Sequence, residues 1–252
     1  PAVVRGWVRD SWHGININNV RNSIAAAGFN DDHLQWHISK HDVYGDKFLE
    51  AWENTGDTEP DLEDFEALGQ EDDVNDIASA DGVVLPGVGA FKDCFEGLKS
   101  RGFVEPVKEA AASGKPFLGI CVGMQLLFEE SEEGGLSPGL GIFPGRVVRF
   151  PDAHQTGLKV PHMGWNQLAR VAGRDCPLLD ATSTTPYVYF VHSYYPRPSD
   201  ESLVLATANY GLDFPAVVGR GKVFATQFHP EKSQHEGINL LRAFGDLCKR
   251  PS

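Results

Sequence analysis

No apolar run in this 252-residue chain reaches the ~18 residues that a membrane-spanning helix needs. The first residues lack the basic-then-apolar pattern of a secretory leader, so the cytoplasm is the expected compartment. The four cysteines, Cys94, Cys121, Cys176 and Cys248, are scattered, and none forms a C-x-x-C pair. That spacing suggests neither a zinc site nor a disulfide framework. Basic residues are missing altogether from 48 to 91, where 13 acidic residues fall. This stretch accounts for the whole net charge of -13, because 22 acidic and 22 basic residues remain elsewhere. An otherwise neutral body carrying one acidic stretch gives no support to nucleic-acid binding.

What is present is enough apolar residue, 41%, to bury a full core. In the first half, strand and helix patterns alternate. Ala2 to Val8 and Leu34 to Ile38 read as strands, with a helix over Asn18 to Ala27 between them. The acidic segment around 50–76 reads as a solvated loop insertion. Gly82 to Leu85 is a third strand, followed by helices over Lys92 to Ser100 and Val104 to Ser113. Such alternation predicts α/β architecture: a flavodoxin-like, mostly parallel sheet with helices on both faces. The second half is expected to add a β-rich portion within the same domain. Its short strands fall at Arg146–Phe150, Gln167–Val171, Tyr187–Val191, Leu203–Thr207, Ala216–Val218 and Val223–Gln227. A closing helix over Ser233 to Leu247 presents Ile238, Leu241, Phe244 and Leu247. One domain is therefore expected across 1–252.

The chain is organised around Lys115 to Phe128. Pro116 to Ile120 is an apolar run fit for a buried strand, and Met124, Leu127 and Phe128 follow at helical spacing. Between them, Gly119-Ile-Cys-Val-Gly123 has the form of a nucleophile elbow with cysteine at its centre. Its glycines permit a sharp strand-to-helix turn, and a helix N-terminus favours a thiolate at Cys121. A packed structural cysteine fits the same five residues. A nucleophile needs a base and a group to orient it. Thr226-Gln-Phe-His-Pro-Glu-Lys232 places His229 just past a strand and Glu231 two residues on. A surface His-Pro-Glu turn is the alternative, until the elbow stands beside it at the same sheet edge. Acyl transfer also needs oxyanion donors. The Val122 N–H is one, and Pro86-Gly-Val-Gly89 after the third strand offers a second. His33, His37 and His41 share a face at four-residue spacing, but no carboxylate set accompanies them, so no metal and no cofactor are expected. Gly139-Leu-Gly141 is a turn pattern. Pro161-His-Met-Gly-Trp-Asn166 puts Met and Trp in a turn-rich segment, as core or as partner-facing anchors.

Gly-Ile-Cys-Val-Gly-Met-Gln (119–125) with Phe-His-Pro-Glu (228–231) resembles the class I, triad-type, glutamine amidotransferases. Leu85–Phe91, Val160–Asn166 and Tyr189–Tyr194 look like the branch of that family acting in histidine biosynthesis. The resemblance runs over about 82–247. It implies that Cys121 attacks the side-chain amide of L-glutamine, that His229 carries the proton to the leaving ammonia, and that Glu231 orients His229. It further implies oxyanion N–H groups from Val88 and Val122, and glutamine held by Gly89, Gln125, Ser193 and Tyr194. The partner implied is a separate (β/α)8-barrel cyclase, which takes the ammonia to make imidazole glycerol phosphate and an aminoimidazole carboxamide ribotide. Asn16, Asn19, Met163, Trp165, Tyr189 and Lys232 are implied to face it. The resemblance also implies an oxyanion loop that rests inactive and turns when the cyclase binds its ligand. The pattern departs at His13-Gly-Ile-Asn16, where the family usually has Gly-x-Gly-Asn, and in the length of the acidic segment. A stand-alone cysteine hydrolase and a catalytically silent docking subunit are the rival readings.

Overall fold

The structure is a computed structural model, and it describes residues 74–151 and 157–249. The expected strands at Ala2–Val8 and Leu34–Ile38, the helix at Asn18–Ala27, the acidic segment before 74, Asn16, Asn19, His33, His37 and His41 lie outside the described residues. The described chain opens with a short helix, α1 (Val74–Ser79), and the strand β1 (Val83–Gly87). Helices α2 (Phe91–Ser100) and α3 (Val104–Ala112) lead to β2 (Phe117–Cys121). All five residues of β2 are buried, as an apolar run at the centre of a parallel sheet must be. The short helix α4 (Val122–Leu126) follows without a break.

Three strands then form a second layer of pairing: β3 (Phe128–Ser131), β4 (Ser137–Pro138) and β5 (Phe143–Arg149). Next come β6 (His162–Gln167), β7 (Ala169–Arg170), helix α5 (Pro177–Asp180), β8 (Tyr187–His192) and β9 (Tyr194–Pro198). The chain ends with β10 (Val204–Asn209), β11 (Asp213–Arg220), β12 (Val223–Thr226) and the closing helix α6 (Gln234–Cys248).

The main sheet runs β1-β2-β12-β11-β10-β7. Strands β1, β2 and β12 are parallel, while β11, β10 and β7 continue it antiparallel. The α/β architecture is as expected: among the described residues parallel strands form one side of the sheet, and the expected β-rich portion extends it antiparallel. The reason is local: β10, β11 and β12 are joined by turns too short for a crossover helix. A second sheet runs β4-β3-β5-β9, and β6 pairs with β8 as a two-stranded antiparallel ribbon.

Several expected boundaries move. Met124, Leu127 and Phe128 do not share a helix, because α4 stops at Leu126 and Phe128 begins β3. The backbone carbonyls of Leu126, Leu127 and Phe128 are taken by N–H groups of residues 140–143, which ends the helix and starts pairing. The 161–166 segment is not a turn but strand β6, with His162 opposite His192 and Trp165 opposite Tyr189. On α6 the buried residues are Gly237, Leu240 and Phe244, whereas Ile238 is exposed. Around Phe150 an aromatic cluster gathers Tyr195, Phe214 and Tyr210 with ring centroids 4.7, 5.3 and 5.7 Å away. Each fully buried phenylalanine of such a cluster contributes about 1.5–3 kcal/mol.

Candidate active site

The parallel strands aim their carboxyl ends at one edge. Gly87 at the end of β1 pairs with Cys121 at the end of β2, and Thr226 at the end of β12 pairs with Ile120. The segments that follow these strands therefore meet there: Pro86–Gly89, the elbow, and Gln227–His229. Ligand groups in open α/β sheets collect at such an edge.

Cys121 sits at φ 55° and ψ -112°, outside the regions a cysteine ordinarily adopts. Strain of this kind costs of the order of 1–3 kcal/mol and persists only where the surroundings enforce it. Tight packing of the elbow supplies that enforcement. A Cβ added to Gly123 would lie 1.8 Å from the Leu85 carbonyl oxygen, and one added to Gly87 would lie 2.6 Å from the Gly123 nitrogen. Only glycine lets β1 and the first turn of α4 approach so closely. The result is a cysteine almost wholly buried, at 4% exposure, beside the sheet edge. Its sulfur faces the Gln227 side chain, whose Nε2 lies 3.8 Å away.

His229 is held from three sides. Its backbone N–H donates to the Tyr189 carbonyl at 3.0 Å, and its own carbonyl accepts from Ser233 Oγ at 2.6 Å. Ser233 Oγ in turn accepts the Tyr189 N–H at 3.0 Å. On the ring, Nδ1 lies 2.7 Å from Glu231 Oε1. The buried Nε2 meets no partner at hydrogen-bonding geometry. Burial works against a charged imidazole here, yet the Cys121 sulfur and the Glu231 carboxylate outweigh it and raise the pKa to about 9. Burial pushes the Glu231 carboxyl up, but the His229 contact prevails and holds it below its ordinary value. Cys121, His229 and Glu231 are thus brought together, with Glu231 about half exposed at the rim.

The Pro86–Gly89 loop, the expected source of an oxyanion N–H, lies beside them, with Gly87 paired to Cys121. Val88 is exposed, Gly89 has φ +96°, and the Val88 carbonyl accepts from Cys94 Sγ at 3.4 Å. Burial, opposed by that bond and aided by nearby Cys121, pushes the Cys94 thiol up to about 12. Glu133 Oε2 accepts the Phe91 N–H at 2.8 Å, fixing the start of α2 just after the loop. Val122 is buried at the first position of α4.

Gln125 is buried, and its Nε2 donates to the Tyr194 carbonyl at 3.0 Å and to Gln227 Oε1 at 3.1 Å. Ser193 and Tyr194 lie half-buried where β8 gives way to β9, and the Ser193 carbonyl accepts the Phe150 N–H. Three of the expected partner-facing residues gather on the β6/β8 ribbon: Met163, at 60% exposure, with Trp165 and Tyr189, whose rings lie 6.0 Å apart. Lys232 is exposed just before α6. Sequence reasoning missed Gln227 and Ser233. Both lie inside or next to the Thr226–Lys232 segment, and a polar residue beside a base just past a buried strand was the signal available.

Comparison with known proteins agrees with the geometry. The model of the family described as glutamine amidotransferase class-I matches residues 60–246. The chain is 55% identical over 190 residues to the imidazole glycerol phosphate synthase subunit HisH of Syntrophotalea carbinolica, covering 73% of this chain and 91% of that one. To the protein of the same name from Salinibacter ruber it is 50% identical over 190 residues, covering 73% and 86%. Among solved structures, a glutamine amidotransferase crystal structure superposes with a TM-score of 0.51 at 23% identity, covering 75% of this chain and 92% of the other. That likeness concerns the fold.

Proposed function

This chain belongs to the class I glutamine amidotransferases, and among them to the imidazole glycerol phosphate synthase HisH subunits, and we propose that it hydrolyses L-glutamine to supply ammonia to that synthase. The observation that carries the reading is the strained Cys121 beside a buried His229 whose far nitrogen is held by Glu231.

In the proposed reaction, Cys121 Sγ gives its proton to His229 Nε2 and attacks the side-chain carbonyl carbon of glutamine. The C=O electron pair moves onto oxygen, where the N–H groups of Val88 and Val122 stabilise it. Collapse of this adduct breaks the C–N bond, and His229 delivers the proton to the departing nitrogen as ammonia. A glutamyl thioester remains. Water, losing a proton to His229, attacks the thioester and releases glutamate and the Cys121 thiol. Glu231 holds the imidazole in one orientation and favours its charged form, as the orienting member of such triads does. Gly89, Gln125, Ser193 and Tyr194 hold the substrate.

We further propose that the ammonia passes to a (β/α)8-barrel cyclase as a separate chain, which closes imidazole glycerol phosphate and releases an aminoimidazole carboxamide ribotide. Met163, Trp165, Tyr189 and Lys232 form the docking face among the described residues. The domain spans 1–252 with the acidic stretch around 50–76 as an insertion, works in the cytoplasm, and uses no cofactor. The test is glutamate release from L-glutamine with and without the cyclase and its nucleotide ligand. Release that depends on the liganded cyclase and on Cys121 supports the reading. Turnover of esters or peptides without any partner contradicts it, as does cyclase stimulation by a Cys121→Ala variant that releases no glutamate while the native protein releases none either.

A further inference from the structure

Two buried histidines lie outside the triad. His162, at 3% exposure, and His192, at 6%, face each other across the β6/β8 ribbon with Nδ1 of His162 3.0 Å from Nε2 of His192. His192 Nδ1 lies 2.8 Å from the Tyr194 carbonyl oxygen, and His162 Nε2 lies 3.3 Å from Asn166 Nδ2. A carbonyl only accepts, so His192 Nδ1 carries the proton. A neutral imidazole has one N–H, so His192 Nε2 accepts from His162 Nδ1, and His162 Nε2 accepts from Asn166. Asn166 Nδ2 also donates to the Asn209 carbonyl at 2.8 Å, while its Oδ1 accepts the Gln167 N–H at 2.8 Å. Every proton in the row therefore points toward Tyr194.

The row continues to the nucleophile. The Tyr194 carbonyl takes a second donor, Gln125 Nε2, and the other proton of that amide goes to Gln227 Oε1. With its oxygen so engaged, Gln227 turns its Nε2 toward Cys121 Sγ. The histidine rings have no room to rotate. His162 is stacked between Phe190 and Tyr210 at centroid distances of 4.9 and 4.2 Å, and His192 lies 5.1 Å from Phe214. Burial keeps both imidazoles neutral, lowering His162 to about 4 and His192 to about 3, which preserves the single direction of donation.

We propose that His162 and His192 are positioning residues: their one-way hydrogen-bond row fixes the Tyr194 carbonyl and, through Gln125 and Gln227, the placement of the Cys121 sulfur. The inference deepens the glutaminase reading and rests on it for its catalytic meaning, but its physical content is separable. A pair of histidines serving only to fill the core would leave the reactivity of Cys121 untouched when replaced by apolar rings of similar size.

The test uses the full chain with His192→Phe, His192→Asn and Asn166→Ala variants, two readouts and 15N-histidine NMR. In the native protein, the spectra show His162 and His192 both neutral with the proton on Nδ1. The alkylation rate of Cys121 by iodoacetamide changes about three- to tenfold in His192→Phe, the equivalent of one neutral hydrogen bond. His192→Asn, which keeps a donor near the Nδ1 position, recovers the native rate. Should His192→Phe fail to fold, Asn166→Ala, at the half-buried outer end of the row, reads the same inference: His162 loses its donor and its spectrum shows mixed tautomers. In the complex with the cyclase, kcat for glutamine falls with the alkylation change. Native tautomers other than Nδ1–H, or an unchanged alkylation rate in a folded His192→Phe or Asn166→Ala, overturn the proposal. If no protein releases glutamate, the glutaminase reading fails, while tautomers and alkylation still decide this one.

Discussion

Replacing Glu231 by glutamine removes a charge from the far side of His229 while keeping a hydrogen-bond acceptor. His229 stands at about 9 because Cys121 and Glu231 together overcome burial. Glu231 contributes through a 2.7 Å contact, which in a dry site is worth about 1.5–3 kcal/mol for a bond to a charged partner. Its side chain is 49% exposed, however, so water screens part of that attraction and the lower end applies. The expected result is about a tenfold loss of proton affinity at His229, or ~1.4 kcal/mol. NMR titration of 15N-labelled His229 measures this directly. The pH dependence of glutamate release in the cyclase complex measures its consequence: a lower apparent pKa and a kcat reduced about tenfold with KM unchanged. An unchanged His229 titration in the Glu231→Gln variant would refute the argument that this carboxylate sets the charge of the base.

Other consequences follow from the same contacts. Gly123→Ala forces a methyl to within 1.8 Å of the Leu85 carbonyl, and overpacking against backbone costs about 1–3 kcal/mol. Thermal unfolding of that variant is expected ~2–12 °C lower, with Cys121 alkylation altered as the elbow shifts. The two buried histidines have folded pKa values below their ordinary 6.5, so the unfolded chain binds more protons between about 6.5 and 4. Stability measured by urea unfolding therefore rises with pH across that window and is lost as pH drops from 6.5 toward 4, by up to ~1.4 kcal/mol per pH unit for each group, and the His162→Phe/His192→Phe double variant flattens the slope. His229 has the opposite sign: its folded value is raised, so its contribution is present below 6.5 and is lost as pH rises toward 9. Phe150→Ala empties the centre of the aromatic cluster and is expected to cost about 3–5 kcal/mol in the same measurement.

The parts of the site that sequence made legible are local. Gly119, Cys121 and Gly123 announce a sharp turn because backbone must pass backbone there, and the close approach of Gly123 to Leu85 is that requirement realised. His229 and Glu231 are two residues apart, so their pairing needs only a turn. Long-range polar pairing left no such trace. His162 and His192 are separated by 30 residues, and Gln125 and Gln227 by 102. The first contact arises from strand register and the second from a helix lying beside the end of β12, and spacing along the chain encodes neither. Strand β6 was hidden because Pro161 and Gly164 interrupt its pattern, and Gly164 holds φ +134° within it. Phe128 was hidden because apolar residues three and four apart fit a helix equally well until the carbonyls of 126–128 find partners across a sheet. On α6, helical spacing found Phe244 but misplaced the face by about one position, since Gly237 rather than Ile238 packs, its Cα lying against Pro230.

The central claim is that Cys121 forms a covalent bond to the glutamyl group. The direct measurement is acid quenching of the cyclase complex during turnover of L-glutamine, followed by mass spectrometry of the peptide carrying Cys121. The account predicts a glutamyl adduct on Cys121 in the native protein that is absent from Cys121→Ala and diminished in His229→Asn, which lacks the group that takes the thiol proton and protonates the departing ammonia. Glutamate release undiminished in Cys121→Ala, or an adduct on Cys94 or Cys176 in its place, would contradict it.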